Sequence, residues 1–88
     1  MSKKEKLLKR LLSKPVDFTF DELIILLKNF GFKLDTGGKT TGSAVAFLSD
    51  KGIPFRMHKP HPRNILKKYQ IEKVIKFLIG SDLIWAKL

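Results

Sequence analysis

The chain has 88 residues, no cysteine, and 18 Lys and Arg against eight Asp and Glu, a formal net charge of +10. That length holds one domain, expected over residues 1–88, whose core buries only about 60–65% of the unfolded surface. Without cysteine, disulfide scaffolds and thiolate metal sites are excluded. No apolar run exceeds five residues, so no bilayer-spanning helix is expected. Hydrophobic content of 43% and charged content of 30% are an ordinary globular balance. Lys9 and Arg10 interrupt the N-terminal leucines, which argues against a secretory signal and for the cytoplasm. The excess of positive charge points to a polyanionic partner. Nucleic acid is favoured over membrane, because the basic residues are spread through the chain.

Residues 3–13 read as a helix. Leu7, Leu8, Leu11 and Leu12 share one side, lysines and Arg10 cover the other, and Pro15 ends it. Residues 1–15 thus read as one N-terminal helical segment. Thr19 and Glu22 form a capping-box signature that starts a second helix over about 20–30, with Gly31 as its left-handed stop. Residues 32–36 are a strand candidate, 37–42 a glycine-rich loop, and 43–49 a second strand. After a turn at 50–52, residues 53–59 form a third strand, in which Ile53, Phe55 and Met57 alternate with Pro54, Arg56 and His58. Pro54 cannot donate to a ladder and belongs at a strand start or on an edge. Residues 60–64 form an extended connector. The last helix covers about 66–79, with Ile71, Val74, Ile75 and Leu78 on one stripe, and 81–88 is a partly apolar tail.

The order is thus α-α-β-β-β-α, an α+β fold with a three-stranded antiparallel sheet and helices on one face. Val45, Phe47, Phe55 and Met57 are expected to face the helices. Strand alternation then places Ala44, Ala46, Arg56 and His58 together on the opposite face.

Residues 56–68 hold Arg56, Lys59, Arg63, Lys67, Lys68, both histidines and no acid. They form a local electropositive segment; a solvated basic connector is the plain alternative. Lys67 and Lys68 fall near the start of the last helix, where free N–H groups favour phosphate. His58 and His61 are the side chains suited to acid–base work near pH 7, as metal-free RNA cleavage requires, although structural or phosphate-binding histidines are commoner. Two histidines without cysteine make an incomplete zinc set, so no metal and no cofactor are expected. The loop at 37–42 carries Lys39 but lacks the helix that follows a P-loop; it reads as a hairpin loop, with or without contact to a nucleic-acid backbone. The phenylalanines fall on apolar periodicities, whereas Tyr69 and Trp85 are freer.

Several motifs then line up. A capped Leu-rich helix ends in Asn29-Phe30-Gly31-Phe32, Gly42-Ser43 opens a strand that leads to Phe47, and His58-Lys59-Pro60-His61-Pro62-Arg63-Asn64 precedes an Ile/Leu-rich helix. This pattern, over roughly residues 18–79, resembles the HicA family of toxins in type II toxin–antitoxin systems. The N-terminal helix and the tail resemble extensions of a longer subgroup. The resemblance implies a double-stranded-RNA-binding-domain-like fold, metal-independent cleavage of mRNA, and neutralisation by a HicB-like antitoxin bound over the active site.

Typical members carry a catalytic His directly after the Gly-Ser, where this chain has Ala44. Three accounts of Ala44 stay open: a non-cleaving RNA binder, catalysis moved to His58 or His61, or an engineered substitution. By resemblance His61 is the first candidate for a remaining functional imidazole and His58 the second. The RNA-binding set expected from loop, motif and basic segment is Lys39, Ser43, Arg56, Lys59, Arg63, Lys67 and Lys68. A non-catalytic RNA-binding module is the runner-up, and a purely protein-binding partner the third class.

Overall fold

The computed structural model describes residues 3–35, 44–60 and 63–84. Its elements are α1 (Lys3–Leu12), α2 (Phe20–Asn29), β1 (Phe32–Asp35), β2 (Ala44–Ser49), β3 (Pro54–His58) and α3 (Lys68–Gly80). The strands form one antiparallel sheet in the order β1-β2-β3, so the α+β architecture is the one expected. It is the double-stranded-RNA-binding-domain-like arrangement, here with an additional first helix. Among the described residues, no helix is long and apolar enough to cross a membrane.

Local chemistry sets the element ends. At the start of α2, Thr19 Oγ1 accepts from the Glu22 N–H at 3.1 Å, and a Glu22 carboxylate oxygen accepts from the Thr19 N–H at 3.0 Å. Gly31 stops the helix at φ +87°, a conformation that costs glycine little. Pro54 begins β3, an edge strand, where its missing N–H is tolerated.

One core joins the layers. Phe47, Phe55 and Met57 are buried on the inner sheet face, and Val45 packs against them. They meet Phe20, Leu23 and Leu27 of α2 and Ile71, Val74 and Leu78 of α3 within one buried cluster. Phe77 bridges the strands, with ring centroids 5.3 Å from Phe32 and 4.6 Å from Phe55. Leu11 of α1 is fully buried in the same cluster. Arg10 ties α1 to the start of α2, with Nε 2.9 Å from Glu22 Oε2 and Nη2 2.9 Å from Asp17 Oδ1.

Three sequence expectations shift. Ile53 lies outside β3 and is 42% exposed, because its carbonyl accepts from the Ser49 N–H to close the turn. The last helix begins at Lys68 rather than 66, because the Leu66 N–H donates to the Phe18 carbonyl at 2.8 Å. Lys59 falls beyond the strand end. The connector is also more than a spacer: the Phe20 N–H donates to the Asn64 carbonyl at 3.0 Å, and Thr19 bridges Ile65 antiparallel. This short pairing brings the starts of α2 and α3 together.

Candidate nucleic-acid interface

The outer sheet face is open. Lys33, Asp35, Ala44, Leu48, Arg56 and His58 are exposed on it, and Ala46 is half-buried. The β2–β3 register pairs Ala44 with His58 and Ala46 with Arg56. Directly opposed residues place their Cβ atoms about 4.5–5.5 Å apart. The methyl of Ala44 therefore stands next to the His58 side chain. Arg56 lies two residues back along the same strand, about 7 Å away at a rise of ~3.3 Å per residue. Its row continues across Ala46 to Asp35, so a carboxylate shares this face.

The other described cations of the expected set follow β3 in the chain. Lys59 follows His58 in the chain, and its Nζ lies 5.9 Å from the Phe20 ring centroid. It lines a groove with Phe20, Asp21, Pro60 and Asn64 at the start of α2. Lys67 and Lys68 occupy the N-cap and first position of α3, both exposed, and the first turn of that helix holds no acid. Arg63 is exposed in the stapled connector between them.

Gln70 joins the end of β3 to the start of α3. It is 5% exposed, its Nε2 donates to the His58 carbonyl at 2.9 Å, and its Oε1 accepts from the Lys67 N–H at 2.9 Å. Sequence reasoning passed over it. A Gln at the third helical position is half of a capping box, but Lys67 offers no side-chain acceptor to complete the signature. Next to Gln70, a small cleft is lined by Phe55, Met57, His58, Tyr69 and Lys73. Lys73 was not among the expected site residues; its spacing four residues after Tyr69 is the signal that was available.

Not every basic residue serves this face. Arg10 is committed to Asp17 and Glu22, and Lys14 Nζ lies 3.5 Å from Glu72. At Glu22, burial pushes the carboxyl pKa up, but hydrogen bonds from Arg10 and Thr19 and the Arg10 charge outweigh it and hold it below the ordinary value. Hydrogen bonds to Glu22 and then Asp17 raise the Arg10 pKa, against a smaller opposing effect of burial.

Lys39, Ser43, His61, the loop at 37–42 and Trp85 lie outside the described residues. Among the described residues, no three His, Asp or Glu side chains are grouped to hold a metal.

Fold and face together define a basic α+β domain of the double-stranded-RNA-binding-domain type, with its helices packed on one side of the sheet and the other side open. Residues 20–78 match the family described as the HicA toxin of bacterial toxin-antitoxin. That is more than half of the chain, and the protein belongs to the HicA toxin family. It is a toxin of a toxin–antitoxin system, with a cognate antitoxin as partner. The matched region contains every described site residue above and leaves α1 outside. No curated protein and no solved structure matches the chain.

Proposed function

We propose that this toxin acts on mRNA. It binds the backbone with Arg56, Lys59, Arg63, Lys67 and Lys68, aided by Lys39 and Ser43, and its cleavage centre lies at the Ala44–His58 pair. The observation that carries the reading is the register: His58 stands directly opposite the position where HicA toxins typically hold their catalytic His, with Arg56 two residues back on the same strand and face. Metal-free cleavage needs a base for the 2′-hydroxyl and an acid for the leaving 5′-oxygen, and imidazole serves both near pH 7. Arg56, two residues from His58 on the same face, would stabilise charge on the phosphorus oxygens. Ala44 supplies no proton-transfer group, so the centre is reduced to His58 and to whatever His61 adds. A HicB-like antitoxin covering the open face would neutralise the protein in the cytoplasm.

The test is RNA cleavage without metal at low salt, by this chain and by Ala44→His. We expect the His variant to cut on the order of 10²–10⁴ times faster, the usual contribution of one acid–base group. Equal cleavage by both would remove position 44 from the centre and leave catalysis to His58 or His61, to be separated by His58→Ala and His61→Ala. If neither cuts while RNA still binds, the protein is a non-catalytic RNA-binding module, the reading that the Ala44 methyl itself favours. In that case log K should fall with log[salt] at a slope of about −3 to −4 for four to six phosphates on single strands. No RNA binding at low salt would leave a purely protein-directed role.

A further inference from the structure

Among the described aromatic residues, Tyr69 is the one the core leaves out. It is 61% exposed, whereas every phenylalanine is buried or half-buried. A single exposed tyrosine is ordinary. Its neighbours are not. Tyr69 shares a cleft with His58 and Lys73, at the point where β3 ends and α3 begins. Lys73 extends toward β3, with Nζ 6.0 Å from the Phe55 ring centroid. Tyr69, Lys73 and Lys76 follow one another at i, i+4 and i+7, so an aromatic ring and two cations form one exposed stripe of α3. The acid of that helix, Glu72, is directed to Lys14.

We infer that Tyr69, beside His58 and Lys73, is a stacking platform for one unpaired RNA base, and that Lys73 and Lys76 carry the adjoining phosphates. The inference rests on the RNA-directed reading above and extends it: the substrate at this end is single-stranded. Two observations decide how the base is held. The cleft volume is about 40 Å³, room for water but not for a base ring, so the base lies on the rim and does not insert. The side chain of Gln70 is only 5% exposed and its amide is turned to the His58 carbonyl and the Lys67 N–H, away from a base lying on the rim. Recognition is therefore by π-face and charge, which tolerates any base and requires that it be unstacked. A duplex hides its base faces and gains nothing from Tyr69. The stripe runs onto α3 from the cleavage centre, so a base held there would place a neighbouring phosphodiester near His58.

The test uses the full chain and a short fluorescein-labelled 2′-O-methyl oligoadenylate, whose blocked 2′-oxygens prevent cleavage during the titration. The comparison probes are a blunt RNA duplex and inorganic polyphosphate, which has charge but no bases. Tyr69→Ala should weaken oligoadenylate binding about 5- to 150-fold, the range of base–aromatic stacking. Tyr69→Phe should stay close to wild type. Duplex and polyphosphate binding should be unchanged by either variant, and so should the salt slope, since no charge is lost. Melting by circular dichroism should be unaltered for a side chain this exposed. If the wild type binds oligoadenylate and Tyr69→Ala binds it equally well, the platform is refuted and RNA binding stands. Equal weakening toward all three probes refutes stacking in favour of a general change in the surface. Loss only of antitoxin binding would assign Tyr69 to a protein interface, again against the inference. A wild type that binds no RNA overturns both this inference and the function it rests on.

Discussion

The starts of α2 and α3 touch through the bridge between Thr19 and Ile65, yet they are built in opposite ways. At α2 the orphan N–H groups are met by Thr19 and Glu22, Asp21 and Glu22 complement the macrodipole, and Arg10 closes the cluster from α1. At α3 the N-cap is a lysine, the next residue is another, and the acceptor is Gln70, a neutral amide whose other end holds the His58 carbonyl. Cations at a helix start are unfavourable by a few tenths to about 1 kcal/mol each. One helix start is thus electrically closed and serves stability. The other is left electropositive beside the open sheet face, an arrangement that an arriving phosphate relieves.

The comparison can be broken by charge reversal. Replacing Lys67 and Lys68 together by Glu should weaken RNA binding on the order of 100-fold at low salt and flatten the salt slope by about 1.4. Thermal stability should hold or rise, because the dipole is then complemented. Unchanged affinity would remove the start of α3 from the interface. The next effect falls on the joint itself. Gln70→Ala leaves the His58 carbonyl and the Lys67 N–H without their partner, and urea denaturation should show a loss of about 2 kcal/mol. At α2 the effect should be smaller and purely structural: Thr19→Ala is expected to cost about 1 kcal/mol with RNA affinity unaltered.

The smallest effect is a dependence on pH. The Glu22 carboxyl is held below its ordinary value of 4.5 in the folded chain, so its contribution to stability is fully present above that value. It is lost as pH falls through the lower folded value. Stability curves of wild type and Glu22→Gln should therefore converge on acidification below about 4.5. Curves that stay parallel there would show that the cluster with Arg10 and Thr19 does not stabilise the anion.

Much of this arrangement was legible along the chain, for reasons that differ by residue. Thr19 and Glu22 announced the start of α2 because both partners of a capping box lie within one helical turn. Alternation placed Ala44, Arg56 and His58 on one face because the strand period is two whatever the partner strand does. The pairing of Ala44 with His58 was only one of several registers until the turn over 50–53 was closed by the Ser49–Ile53 contacts and by Gly52 at φ +81°. A register shifted by two residues would have kept His58 on the outer face but opposed it to a residue other than Ala44. Ile53 was read into the third strand because it alternates in step with Phe55 and Met57; its carbonyl was needed to close the turn instead.

Short-range chemistry therefore settled the order of elements, their caps, the polarity of each strand face and the excess of positive charge, since each depends on residues within a turn or two of one another. Folding decided which distant groups meet. Gln70 reaches the His58 carbonyl 12 positions away, Arg10 reaches Glu22 across the α1–α2 connector, and residues 64–66 pair beside 18–20. No local pattern encodes such contacts, because their partners are chosen by how the helices seat on the sheet. The candidate site lies where those long-range contacts converge, at the end of β3 and the start of α3.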